Sequence, residues 1–179
     1  MNTTKNLVLC ALFAALIVVG TYIKIPTPLL PLTLQTMFVV LSGLVLGKKF
    51  GPIAVLVYIF AGVIGLPVFT ASFLSPTFGY IIGFVPGACL AGYIAEKFKP
   101  CFITWTLGAL AAMVVIYAFG IPYYYLMSKY YLENELGAKA LLMYFVLMPM
   151  PGDIVKSIAA GLITGRLAAF FPNSFTWKR

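Results

Sequence analysis

Pro149-Met150-Pro151-Gly152-Asp153-Ile154-Val155-Lys156 interrupts an apolar stretch that begins near Ala140 and ends near Ala169. Two prolines and a glycine stop a helix, so the spacing predicts that it restarts at about Asp153, with that acid as N-cap or in the first turn. Asp153 and Lys156 are three apart and share a face. From Arg166 at the far end of the stretch, thirteen residues at about 1.5 Å each put Asp153 roughly 20 Å along the helix axis. Two charges that deep in an apolar segment are expensive in lipid and default to a functional reading. The alternative is a structural ion pair that only satisfies itself.

Working outward, the rest of the chain is of the same apolar kind. Of 179 residues, 63% are apolar and 9% charged, at a mean hydropathy of +1.05. A water-soluble domain carries roughly a quarter charged residues, and a disordered chain lacks this apolar content. At about 20 residues per crossing, six spans are expected: Leu7 to Ile23, Thr33 to Leu46, Pro52 to Leu66, Gly79 to Ala95, Phe102 to Leu126, and the stretch from Ala140 to Ala169. The second and third are short for a bilayer. The N-terminal run continues to Ile23 without a small-residue cleavage site, so it reads as a first helix and not as a signal peptide. The expectation is an all-α membrane protein, a single integral-membrane domain over 1–179.

Six crossings place both termini on one side. Lys5, Lys48, Lys49, Lys97, Lys99, Arg166, Lys178 and Arg179 then fall on that side and Lys24, Lys129 and Lys139 on the other. Eight against three predicts cytoplasmic N- and C-termini and an outer face holding the longer loops. The basic residues lie singly or in pairs between apolar runs, which excludes the concentrated footprint of a nucleic-acid binder.

Small residues recur at four-residue spacing: Gly43 and Gly47; Ala61 and Gly65; Gly79, Gly83, Gly87 and Ala91; Gly108 and Ala112; Ser157, Gly161 and Gly165. Such faces let helices approach closely in lipid. Ala11 and Ala15 form a further small face on the first helix, beside Cys10 and Ala14. No matching pair of interrupted helices marks two inverted halves, which argues against an autonomous alternating-access carrier.

Catalysis is not expected. The chain has no His, no Ser-x-Gly elbow and no acid cluster, and Asp153 is the single carboxylate within a span. Cys10, Cys89 and Cys101 lack metal-ligand spacing. No cofactor or metal is expected. Binding residues are the better reading, and there are candidates beyond Asp153 and Lys156. Gln35, in the outer part of the second span after Pro26, Pro28 and Pro31, is a buried amide that needs a partner or a ligand. Its neighbour Thr33 reads as a helix cap. The apolar loop Leu66 to Tyr80 lacks charges to hold it in water, so it is expected to fold back over the bundle, with Ser72, Thr77 and Tyr80 supplying hydroxyls. Its aromatics, and Tyr123, Tyr124, Tyr125, Tyr130 and Tyr131, also suit an interfacial belt.

Four blocks in order carry a resemblance. They are Ile25 to Lys49 with Leu-Thr-Leu-Gln-Thr and Gly-Leu-Val-Leu-Gly-Lys-Lys-Phe-Gly; Gly65-Leu66-Pro67-Val68-Phe69; Ser75-Pro76-Thr77-Phe78-Gly79-Tyr80-Ile81-Ile82-Gly83-Phe84; and Pro151-Gly152-Asp153-Ile154-Val155-Lys156. Together they resemble BioY, the biotin-specific substrate-binding (S) component of energy-coupling-factor (ECF) vitamin transporters. The similarity covers about Leu7 to Arg166 and is uninformative from Pro100 to Tyr144. It implies a six-helix S-component fold in the bacterial plasma membrane. It further implies that biotin is captured at the outer face and that a membrane coupling subunit with two cytoplasmic ATPase subunits drives import with ATP. It also implies that Asp153 and Lys156 contact biotin under the loop between the third and fourth helices, and that Ala11 and Ala15 dock the coupling subunit. Where BioY proteins carry a glycine-rich stretch after the Leu-Pro-Val-Phe block, Thr70 to Leu74 is shorter and has no glycine, with Ser72 as the substitute. Rival readings are an S component for another vitamin and a non-transport membrane scaffold.

Overall fold

The computed structural model describes residues 3–25, 32–69, 75, 77–130 and 143–170. Five helices in it are long and apolar enough to cross a membrane. Helix α1 spans Thr3–Tyr22 and runs into a short antiparallel pair, β1 (Lys24–Ile25) with β2 (Leu32–Thr33), Lys24 opposite Thr33. Helix α2 (Gln35–Val63), α3 (Phe78–Lys97) and α4 (Phe102–Tyr130) follow, then a π-helical turn over Met143–Leu147 and α5 (Met150–Phe170).

Element α2 holds the second and third expected spans. Gln35 Nε2 donates to the Tyr58 hydroxyl at 2.8 Å, yet 23 residues of straight helix would separate them by about 35 Å. The chain doubles back at Gly47, whose φ of 78° and ψ of −179° belong to a region that only glycine occupies readily. The reversal needs one residue and not the five from Gly47 to Gly51 left outside the expected spans, because Lys48 starts the second arm at once. The Glu96 carboxylate holds that start from α3, accepting from the Lys48 backbone N–H at 3.0 Å and pairing with Lys48 Nζ at 3.4 Å. The two arms press together at Gly51, where an added Cβ would sit 2.6 Å from the Gly43 Cα.

Most of the small-residue faces lie at helix contacts. A Cβ on Gly43 would meet the Ala88 carbonyl oxygen at 2.2 Å, and one on Gly92 would meet Gly47 and Lys48 backbone atoms at 2.3 Å, so α2 and α3 touch backbone to backbone. Gly83 and Gly87 admit Ile116 of α4, and Gly161 of α5 admits Thr106. The Ala61 and Gly65 pair does not behave this way. Gly65 has open space around it and a φ of 92°, so it turns the chain after α2 instead of packing a helix. Thr33 is likewise not a helix cap: it sits in β2, and the residue before α2 is Leu34, without a side-chain cap bond. The core runs through Ile17, Val39, Val40, Leu44, Val55, Ile116 and Phe145, while Leu7, Ile103, Val114 and Val155 are exposed, leaving an apolar exterior suited to hydrocarbon.

The two ends of the bundle differ. One carries the Gly47 reversal and the short turn between α3 and α4. The other carries β1, β2 and residues 64–69, where the Tyr22 hydroxyl donates to the Pro67 carbonyl and ties the chain after α2 to the end of α1.

Candidate functional site

Helix α5 opens at Met150, one turn after the π-helical turn, and the Asp153 N–H is bonded to the Pro149 carbonyl at 3.0 Å. Asp153 therefore lies inside the first turn, not at the N-cap, and its own N–H is taken. The carboxylate and the Lys156 ammonium form an ion pair along one face, with Asp153 6% and Lys156 9% exposed. Partners on other elements hold both charges. Lys156 Nζ donates to the Thr33 carbonyl and to Thr36 Oγ1, each at 3.1 Å, and the Tyr117 hydroxyl of α4 donates to Asp153 Oδ2. The reversal at Gly47 brings the start of α2 and the end of its second arm to the same end of the bundle, which sets Gln35 beside Tyr58.

Beside the pair is a cavity of about 90 Å³. Asp153, Lys156, Thr36, Gln35, Tyr58 and Thr77 face it, together with Tyr80, Tyr117 and the apolar Phe84, Met113 and Ile116. A lining that joins a charged pair to apolar side chains suits a small ligand with both polar and apolar parts. The Tyr80 hydroxyl is buried, the residue being 6% exposed, and has no hydrogen-bond partner among the described residues. A buried donor left unmade costs free energy.

The sequence candidates converge unevenly on this place. Asp153, Lys156, Gln35, Thr77 and Tyr80 all line the cavity. The Gln35 amide is already engaged by Tyr58, and Thr77 Oγ1 shares a hydrogen bond with Ser75 Oγ at 2.9 Å. Ser72 lies outside the described residues. Phe69, at the near end of the loop, packs edge-on against Tyr58 with ring centroids 5.2 Å apart and reaches the cavity wall. Ala11 and Ala15 are far from the cavity in role: both are exposed on α1, while Cys10 and Ala14 beside them are buried.

Sequence reasoning missed Tyr58, Thr36 and Tyr117. Each is a hydroxyl inside an apolar run, and that was the available signal, since a buried polar atom must find a partner. Tyr117 also falls in the segment where the resemblance is silent.

Comparison with known proteins places the chain in a family. The BioY family model matches residues 1–173. The probable biotin transporter BioY of Lysinibacillus sphaericus is 37% identical over 179 residues, covering 97% of this chain and 91% of its own length. The biotin transporter BioY of Thermotoga maritima is 38% identical over 170 residues, 91% of this chain and 95% of that protein. A crystal structure of the S-component for biotin from an ECF-type ABC transporter matches with a TM-score of 0.66 at 27% identity, covering 94% of this chain and 95% of that one. Matched by the family model over residues 1–173 and by relatives along nearly their whole lengths, the chain belongs to the BioY family.

Proposed function

We propose that this chain is the biotin-binding S component of an ECF-type vitamin uptake transporter, a transport protein and not an enzyme. The observation that carries the reading is the Asp153–Lys156 pair, buried yet facing a cavity, in a chain whose relatives are biotin transporters. Biotin has ureido N–H donors and a valerate carboxylate. Asp153 offers an acceptor to the first and Lys156 a cation to the second, and charge-assisted bonds of this kind are the strong ones. Tyr80, with its unused hydroxyl, Gln35 and Thr77 complete the polar wall, and Ser72 is the loop residue assigned to close over the ligand. Phe84, Met113 and Ile116 receive the apolar body.

Counting the two arms of α2 separately gives six crossings of the cell membrane. With the Lys and Arg excess on the side of the Gly47 reversal, both termini are cytoplasmic and the cavity opens outward. Ala11 and Ala15, exposed near the cytoplasmic end of α1, form the docking face for a membrane coupling subunit that works with two ATPase subunits. No cofactor is required of this chain, since the ATP is used by its partners.

Isothermal titration of the detergent-solubilised protein tests the reading. Biotin is expected to give saturable heat, and competing vitamins are not. A folded sample without biotin heat refutes it, and displacement by another vitamin would reassign the ligand.

A further inference from the structure

Asp153 lines two cavities, not one. Behind it, on the side away from the ligand cavity, lies a groove of about 540 Å³ between α4 and α5, walled by Leu110, Val114, Ala118, Ile121, Val146 and Ile154. Met113 and Tyr117 also border both spaces, so the partition between them is a single layer of side chains. The groove opens on the outer faces of two membrane-capable helices, where Val114 is 67% exposed, and this is the direction of the lipid. Apart from Asp153 itself, Tyr117 supplies the sole polar side-chain atom on the groove wall among the described residues.

A carboxylate that faces hydrocarbon with an unfilled oxygen is costly. Asp153 meets that threat on two sides: Oδ1 is paired with Lys156, and Oδ2 accepts from the Tyr117 phenol. Tyr117 is itself held by Tyr80, whose ring stands edge-on to it at 6.1 Å between centroids. We propose that Tyr117 is the positioning residue of the site, closing Asp153 off from the lipid-facing groove and fixing its carboxylate so that its free lone pairs serve the ligand cavity. This rests on the biotin-binding reading for the ligand, but the hydrogen bond and the groove stand without it.

Tyr117→Phe removes one oxygen and keeps the ring, so it isolates this role. The chain has only four acidic residues, which makes the Asp153 carboxylate stretch assignable in infrared spectra by subtracting the Asp153→Asn variant. In ligand-free protein that band is expected to shift in Tyr117→Phe, a change that altered packing alone does not produce. Biotin affinity is expected to fall about ten-fold, the size of one hydrogen bond to a charged group. In an Asp153→Asn background the same substitution should change affinity by less than about two-fold, as coupled residues are non-additive. An unmoved band, or equal losses in both backgrounds, overturns the proposal. Should Tyr117→Phe fail to fold, the triple variant with Asp153→Asn and Lys156→Met, which removes both charges of the buried pair and so strands neither, is expected to fold. Its failure too would show that the oxygen serves packing and overturn the proposal. If the wild-type chain gave no biotin heat, the functional reading would fall while the infrared comparison still decided the role of Tyr117.

Discussion

Lys156→Met cuts the site at its most connected atom. The substitution removes the ion pair with Asp153 and the bonds to the Thr33 carbonyl and Thr36 Oγ1, leaving a carboxylate 6% exposed with the Tyr117 phenol as its remaining partner. Removing one partner of a buried pair costs about 3–5 kcal/mol, because the other charge stays buried without compensation. For a chain of this length, that lowers the unfolding midpoint by roughly 10 °C. Asp153→Leu with Lys156→Met removes both charges together, and such replacements are neutral or stabilising by about 1–4 kcal/mol. The pair of variants separates two roles that a single substitution confuses. Fluorescence-detected thermal unfolding in detergent and biotin titration on the same samples read both. The expected outcome is a destabilised single variant and a stable double variant that no longer binds biotin. A double variant with wild-type affinity would refute the site, and a single variant as stable as the wild type would refute the claim that burial makes the pair interdependent.

Other consequences follow from the packing and the orientation. Gly92→Val would push into the Gly47 and Lys48 backbone, and overpacking of that kind costs about 1–3 kcal/mol, read as a lowered unfolding midpoint. Gly47→Ala should cost about 1–3 kcal/mol in the same assay, since its φ of 78° excludes a side chain. Cys101 is exposed on the turn between α3 and α4, with Thr104 Oγ1 3.2 Å from its sulfur, and this neighbour lowers its pKa. More thiolate is then present at neutral pH, and reaction persists further toward acid than for an ordinary thiol. An impermeant maleimide should leave Cys101 unlabelled in intact cells and label it after permeabilisation, and labelling of intact cells would reverse the proposed orientation. Ala15→Trp should abolish co-purification with the coupling subunit while leaving biotin affinity unchanged, and an intact complex would place the docking face elsewhere.

What the sequence disclosed follows from how costly each feature is in lipid. Asp153 and Lys156 stood out because charges inside an apolar run have few explanations. The helical spans stood out because their length is set by the bilayer. The hairpin within α2 was half legible: two short runs were seen, but Lys48 and Lys49 read as a loop, when one glycine makes the turn and Glu96 of α3 holds it. That grip joins residues 48 apart and leaves no local pattern. Gln35 was recognised as needing a partner, yet nothing in the sequence said that Tyr58 would provide it. The signal for Tyr117 was ambiguous, since a tyrosine in an apolar helix is as often an interfacial anchor as a buried donor. Of the two places open to Asp153, N-cap or first turn, the first turn is the one it occupies, and the helix starts three residues earlier than expected because helical geometry follows the break at once from Met150.

A crystal structure of this protein with biotin bound tests the central claim most directly. The vitamin is expected in the cavity between α2, α3, α4 and α5, with a ureido nitrogen bonded to Asp153 and Lys156 turned to the ligand's carboxylate. Biotin bound elsewhere, with Asp153 and Lys156 still closed on each other and untouched, would contradict it.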